Sequence, residues 1–194
     1  YNFYSELQYS INSKAESIFF WNSNAMDING LTVLVTGGAG LIGSHIVDLL
    51  VTEYQCKVRV LDNLVAPTHT SSEIPPWVPK DVEFIHGSTF DRSTMEQALQ
   101  GVDVVFHQAA SGYVGSQENS LRNVFDAAAT GTCVLFDTIK DLKLPVKKVV
   151  TASSMAVYGE SSYLKPDGSI FTPSQYRSAE RMANGDYEVY ANNG

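Results

Sequence analysis

Thr36-Gly37-Gly38-Ala39-Gly40-Leu41-Ile42-Gly43 is the stretch whose reading decides the fold. It follows the β-rich run Leu31-Thr32-Val33-Leu34-Val35, and beyond it Ile42, Ile46, Leu49 and Leu50 recur at helical spacing. Strand, glycine turn and helix in that order are the context of a dinucleotide-binding fingerprint. Gly37 permits the tight turn, Gly40 lets the backbone approach a pyrophosphate, and Gly43 allows close helix–strand packing. The start of the helix stabilises the ligand's negative charge, because its first N–H groups have no partner within the helix. The fingerprint also needs an acid roughly 20 residues further on. Asp62 supplies it, closing a second strand, Val58-Arg59-Val60-Leu61, where a carboxylate accepts hydrogen bonds from the adenosine ribose hydroxyls. The same charge repels a 2′-phosphate, so NAD is expected as cofactor rather than NADP. Asn63 beside it is a further polar contact.

The alternation continues downstream. A Pro-rich loop from Ala66 to Pro79 is long for a compact domain, and such loops are usually functional or mobile. Val82-Glu83-Phe84-Ile85 reads as a third strand, and Ser93 with Glu96 as the capping box of a helix that Gly101 stops. Val104-Val105-Phe106 is a fourth strand. The longest helix runs from near Glu118 toward Leu142, with Leu121, Val124, Phe125, Ala128, Leu135, Phe136 and Ile139 on one stripe. Pro145 marks its end, and Val149-Val150-Thr151 is the fifth strand. Such alternation predicts an α/β fold: a Rossmann-type, doubly wound parallel sheet with helices on both faces. Phe84, Phe106, Phe125 and Phe136 are expected in its core.

The chain divides on this reading into residues 1–25, 26–159 and 160–194. It begins without Met, and Ser23-Asn24-Ala25 before Met26 resembles the remnant of a cleavable expression tag. Residues 1–25 therefore read as tag-derived or as an unrelated extension, the alternative being a native aromatic arm that packs on the domain. The polar segment 160–194 reads as extended, with one short helix around Ala179–Asn184.

Composition excludes several classes. The net charge is −8 among 194 residues, which disfavours nucleic acid as a partner because phosphate backbones need a basic face. No run of about 18 apolar residues occurs, so no membrane-spanning helix and no membrane partner are expected. The two cysteines, Cys56 and Cys133, lie far apart in apolar stretches, which argues against a disulfide framework and suits a reducing, cytoplasmic setting. His45, His69, His86 and His107 show no metal-ligand spacing, and His107 reads as a packed strand-end residue rather than a base.

Four motifs in order, TGGAGLIG, LDNL, HQAA (His107–Ala110) and SSMAVYG (Ser153–Gly159), resemble the extended short-chain dehydrogenase/reductase family. Within it they are most similar to NAD-dependent nucleoside-diphosphate-sugar epimerases and dehydratases, and the resemblance covers Met26 to about Gly159. It implies that Gln108, Ala109 and Ala110 lie along the cofactor. It also implies that Ser154, four residues before Tyr158, is the catalytic hydroxyl that bonds the reacting sugar oxygen. After the third strand the family usually has Gly-Asp-x-x-Asp. Here Gly87-Ser88-Thr89-Phe90-Asp91 stands instead, so Ser88 and Thr89 occupy the adenine-side position with a weaker contact. Ala128 replaces a usual Asn in the long helix.

The family's acid–base pair is Tyr-x-x-x-Lys, whose lysine lowers the tyrosine pKa. Tyr176-Arg177-Ser178-Ala179-Glu180 has Glu in place of that Lys, and a carboxylate acts in the opposite direction, so Tyr176 is not assigned as the base. A better match is an insert found in a subset of these epimerases. It has Arg-Ser, then Gly-Asp-aromatic-Glu, then Cys-x-x-Cys-Gly. Arg177-Ser178, Gly185-Asp186-Tyr187-Glu188 and Tyr190–Gly194 match it with both cysteines replaced, so no zinc is expected. On that reading the chain stops before its Tyr-Lys pair and its C-terminal substrate domain.

The resemblance implies a nucleotide-sugar substrate, a 4-keto intermediate, and a homodimer to which the helix around Leu121–Leu142 contributes. A second reading, of a different class, is an NAD-binding module without catalysis. A third, a dehydrogenase of sterols or flavonoids, shares the glycine turn, but SSMAVYG counts against it. Calorimetric titration of the chain with both cofactors is expected to give tighter NAD than NADP binding, and Asp62→Ala to narrow the difference. Equal or tighter NADP binding would remove the argument from Asp62.

Overall fold

The computed structural model describes residues 26–66, 68–111, 121–154, 157, 162–172, 180 and 183–185. Residues 1–25, Tyr158, Gly159 and the Tyr176–Ser178 stretch lie outside them. Described residues up to Val150 form one compact unit and those from Thr151 onward another.

In the first unit, valine-rich segments become strands: β1 (Thr32–Thr36), β2 (Lys57–Asp62), β3 (Glu83–His86), β4 (Val104–His107) and β5 (Lys148–Thr151). Each boundary lies within a residue or so of the expected one. The sheet order is β3-β2-β1-β4-β5, and β1 pairs in parallel with both β2 and β4, as does β2 with β3. This is the Rossmann-like arrangement that the alternation predicts. In the middle of the sheet β1 and β4 are largely buried, which is why Val33–Val35 and Val104–Phe106 read as unbroken apolar runs, whereas β5 at the edge is largely exposed. Successive residues of β1 prove the two layers. Val33 and Val35 pack with Val47 and Leu50 of α1 (Leu41–Thr52), whereas Leu34 packs with Met95 and Leu99, from and just after α2 (Arg92–Ala98), and with Leu135. At the amino end of β1, Asp103 accepts from the Thr32 N–H at 3.0 Å and pairs with Lys147 at 2.8 Å.

Several local expectations need correction. In α1 the buried stripe is Gly43, Val47 and Leu50, while Ile42 and Leu49 are 65% and 55% exposed. The helix is apolar on most sides, so spacing alone offers more than one stripe, and packing against the sheet selects the one a single residue away. Ser93 and Glu96 form no capping box. Asp91 is the N-cap of α2, accepting from the Ser93 N–H at 3.1 Å and from the Thr94 hydroxyl, and Glu96 pairs with Arg92 instead. The long helix is three pieces: α3 (Leu121–Phe125), a π turn (Asp126–Thr130) and α4 (Gly131–Asp141). The extra residue of a π turn rotates the helix beyond it, and α4 buries Gly131, Leu135 and Thr138. Phe125 and Phe136 are consequently 65% and 47% exposed and are not core, whereas Phe84 and Phe106 do pack against it. Cys56 is buried, its thiol donating to the Ile28 carbonyl at 3.1 Å, and Cys133 is exposed. Among the described residues no helix is long and apolar enough to cross a membrane.

In the second unit, β6 (Tyr163–Leu164) and β7 (Ile170–Phe171) form an antiparallel hairpin absent from the sequence reading. Its signal was Asp167-Gly168 between two apolar pairs: Gly168 takes φ +81° and the Ser169 N–H donates to Asp167. Where a short helix was expected, the Asn184 N–H donates to the Glu180 carbonyl at 3.1 Å.

The orientation of α1 is testable. Leu50→Ala should cost about 2–5 kcal/mol of stability, as large-to-small core substitutions do, and Leu49→Ala no more than about 0.5 kcal/mol. Urea unfolding of both variants checks this, and equal losses would contradict the observed face.

Candidate functional site

Where the strand order reverses, between β1 and β4, an open parallel sheet leaves a crevice beyond its carboxyl ends. A groove of about 650 Å³ lies there, within the usual range for a ligand site. Gly37, Gly40, Leu41, Ile42 and Gly43 line it from the glycine turn and the first turn of α1. Asp62 and Asn63 contribute from the end of β2, Ser88 and Thr89 from beyond β3, and Gln108, Ala109 and Ala110 from beyond β4. The fingerprint residues, spread along the chain from Gly37 to Ala110, thus meet at one place because every strand that leads to them points the same way.

The turn is built for close approach. Gly37 has φ +68°, and a side chain there would meet the Ala109 backbone nitrogen at 2.8 Å. A Cβ on Gly43 would run into the Gly37 carbonyl oxygen. Gly40 differs: its backbone is extended (φ −75°, ψ 174°), and the nearest atom to an added Cβ is the Gly37 carbonyl oxygen at 3.4 Å. The absence of a side chain at Gly40 therefore serves the groove rather than the turn. No side chain caps α1 and its first turn holds no acid, so its leading N–H groups remain available to an anion. These features fit a dinucleotide: glycine where a pyrophosphate would press on the backbone, and a helix start behind it.

Asp62 is buried, and its carboxylate has a role the sequence reading did not foresee. One oxygen accepts from the Ala39 N–H at 3.0 Å and the other from the Leu64 N–H at 2.9 Å. It therefore pins the glycine turn to the end of β2. Each carboxylate oxygen has a second lone pair, which leaves capacity for ribose hydroxyls. Leu64 sits in the left-handed region (φ +50°) and packs with Ala39 and Val78. Asn63 donates to the Ser88 hydroxyl at 3.3 Å and its carbonyl bonds the His86 ring at 3.1 Å.

The Pro-rich loop belongs to the site. His69 is buried in the groove lining with Nε2 3.7 Å from Asp62, and Val65, Ala66 and Thr68 line the groove as well. Trp77 donates its indole N–H to the Ala39 carbonyl at 3.0 Å. The length and proline content of the loop were the only signals for this. The π turn also reaches the groove, through Asp126 and Ala127, with Asn123 just before it. Nothing in the sequence spacing announced that turn. Thr89 is buried against Gly131, where any side chain would collide with its hydroxyl.

His107 is buried at the end of β4, its two ring nitrogens 2.8 Å and 3.0 Å from the hydroxyls of Thr36 and Thr132. Burial pushes its pKa down, in keeping with a packed residue rather than a base. Among the described residues no three His, Cys, Asp or Glu side chains gather as a metal site would require. Ser154 belongs to the second unit, where it is exposed and its carbonyl accepts from the Val157 N–H at 3.2 Å.

Residues 33–192 match the family model described as the NAD dependent epimerase/dehydratase family. A putative UDP-glucose 4-epimerase of Methanocaldococcus jannaschii is 41% identical over 140 residues, which is 70% of this chain and 42% of the relative. Among solved structures, UDP-glucose 4-epimerase from Thermotoga maritima, with UDP-glucose, superposes with a TM-score of 0.58 at 32% identity over 70% of this chain and 42% of its own. The Thermus thermophilus UDP-glucose 4-epimerase complex with NAD gives 0.55 at 32% identity, over 77% and 43%. The chain thus spans less than half the length of these relatives.

Gly40→Val is expected to abolish dinucleotide binding in titration, because a branched side chain takes the space facing the ligand. The chain should stay folded, with a stability loss of about 1 kcal/mol from the poorer helix cap. Gly43→Val should instead lower the unfolding midpoint sharply, since it displaces the turn itself. Undiminished affinity in Gly40→Val would mean that the turn is merely structural.

Proposed function

We propose, because this chain belongs to the NAD dependent epimerase/dehydratase family, that it forms the NAD-binding part of an enzyme converting a nucleotide sugar through a 4-keto intermediate. The observation that carries this is the groove at the β1/β4 reversal, where an uncapped helix start, an open Gly40 and the Asp62 carboxylate lie together. NAD, when bound, supplies reversible acceptance of a hydride. The chain's residues do the holding. The turn Gly37–Gly43 with the N–H groups of α1 takes the pyrophosphate. Asp62, with Asn63, takes the adenosine ribose and repels a 2′-phosphate, and Ser88 and Thr89 flank the adenine. Gln108, Ala109 and Ala110 flank the cofactor along the end of β4.

Ser154 is the proposed catalytic residue in this chain, its hydroxyl bonding the reacting sugar oxygen. Proton removal from that oxygen needs a tyrosine with a lysine four residues on, and no tyrosine after Ser154 in these 194 residues has one. Positioned acid–base groups contribute about 10²–10⁴-fold. The substrate class is taken from the relatives, whose names specify UDP-glucose and dTDP-L-rhamnose as sugars acted upon.

Product chromatography after incubation with NAD and UDP-glucose, UDP-galactose or dTDP-glucose tests the proposal. The 194-residue chain should bind NAD without turnover above a Ser154→Ala control. A longer chain that includes a Tyr-x-x-x-Lys after Ser154 should turn over, and its Ser154→Ala variant should be strongly impaired. Turnover by the 194-residue chain would overturn the acid–base assignment, and failure of the longer chain on every nucleotide sugar would overturn the substrate class.

A further inference from the structure

We propose that His107 is a positioning residue of the cofactor groove, a neutral ring protonated on Nε2 that ties the Ala109 backbone to the π turn through the hydroxyls of Thr36 and Thr132. The inference rests on the reading of the groove as an NAD site.

The direction of each hydrogen bond is set by what its partners can donate. Thr132 Oγ1 lies 2.6 Å from the Ala128 carbonyl oxygen, which can only accept. The hydroxyl hydrogen of Thr132 is therefore used there, and its oxygen must accept from His107 Nε2 at 3.0 Å. The other end is independent. The Ala109 N–H donates to Thr36 Oγ1 at 3.2 Å, and Thr36 Oγ1 lies 2.8 Å from His107 Nδ1. Thr36 has its own hydrogen to place, and Nδ1 as an acceptor takes it. Both ends require the same tautomer. The polar chain runs Ala109 N–H, Thr36 hydroxyl, His107 ring, Thr132 hydroxyl, Ala128 carbonyl.

A second proton on the ring would break this order. Nδ1 would become a donor facing a hydroxyl that already accepts from Ala109. The Thr36 hydrogen would then be stranded in a residue without solvent access, at the penalty of an unsatisfied buried donor. Desolvation acts the same way, holding the ring below its ordinary pKa. The hydrogen bonds and the burial thus both favour the neutral ring.

What the chain of bonds connects gives it a function. Ala109 lines the groove and lies against Gly37, and its neighbour Gln108 donates its N–H to the Thr36 carbonyl at 3.1 Å. Ala128 belongs to the π turn, whose Asp126 and Ala127 also line the groove. Side chains that bond back to the carbonyl four residues earlier bend helices, so Thr132 couples the shape of that turn to the ring. His107 lies 71 residues from Thr36 and 25 from Thr132 in the chain, so one ring joins groove linings that the sequence keeps well apart.

Titration calorimetry with NAD on the unaltered chain, His107→Phe, Thr132→Val and the double variant provides the test, with ¹⁵N-imidazole NMR on the unaltered chain. Each single variant should bind NAD about tenfold more weakly, the scale of one lost buried hydrogen bond. The double variant should be little worse than the weaker single, because both cut one chain. The nitrogen spectrum should show Nε2 protonated and Nδ1 bare. Unchanged affinity in Thr132→Val, whose folding is checked by its unfolding midpoint, would overturn the proposal even if His107→Phe does not fold. So would additive effects or the opposite tautomer. An unaltered chain that does not bind NAD would overturn the underlying reading of the groove, and the nitrogen spectrum still decides the tautomer.

Discussion

The carboxylate of Asp62 is the constraint on which the ligand-binding edge depends. β1 and β2 run in parallel with Thr36 opposite Leu61, so their ends emerge side by side. One backbone bond, from the Gly37 N–H to the Leu61 carbonyl at 2.8 Å, reaches just past the end of β1. Beyond it a buried carboxylate ties the two segments together, taking the N–H of Ala39 from the turn after β1 and that of Leu64 from the loop after β2. Hydrogen bonds to a charged group contribute about 1.5–3 kcal/mol each. That is enough to hold Leu64 in the left-handed region, an unfavourable conformation for a branched residue. The leucine then packs under Ala39 and brings Val78 with it. The group that reads the ribose in the proposed function is also the one that keeps its surroundings in place.

The sheet was legible because buried parallel strands leave a strong trace: Thr32–Thr36, Lys57–Asp62 and Val104–His107 each carry two buried valines. Helix faces were less so. Ile42, Ile46, Leu49 and Leu50 recur at helical spacing, but α1 is apolar on most sides, and the packing of Gly43 against the turn and of Val47 and Leu50 against β1 shows which side lies inward. Phe125 and Phe136 misled for another reason. A stripe drawn at 3.6 residues per turn across Leu121–Ile139 assumes an unbroken helix, and the π turn at Asp126–Thr130 changes the phase midway. The cap at Asp91 outcompeted Ser93 because its longer side chain reaches two hydroxyls as well as the backbone.

About half of the groove's lining could be named from the residues at and just past each strand, since parallel topology gathers strand ends by construction. The parts that stayed hidden came from elsewhere. His69 and Trp77 lie in a loop without periodicity, and Asp126 and Ala127 depend on a helical irregularity. The partners of His107 are hydroxyls far off in sequence, Thr36 and Thr132, so the ring reads as filler until its two nitrogens are seen to be bonded. Polar networks of this kind are a property of three-dimensional meeting points and leave no spacing behind.

Trp77 carries a consequence for how this molecule can be observed. Its indole N–H is bonded to the carbonyl of Ala39, whose N–H is in turn held by Asp62, although much of the ring is open to solvent. The emission of an indole depends on the polarity around its nitrogen. A natural fluorophore is thereby wired to the peptide at the centre of the glycine turn. The chain has one other tryptophan, Trp21, and replacing it with phenylalanine would leave a single emitter. Small displacements of the turn, too slight for a change in overall shape to betray, would then register as a shift in colour without any attached dye.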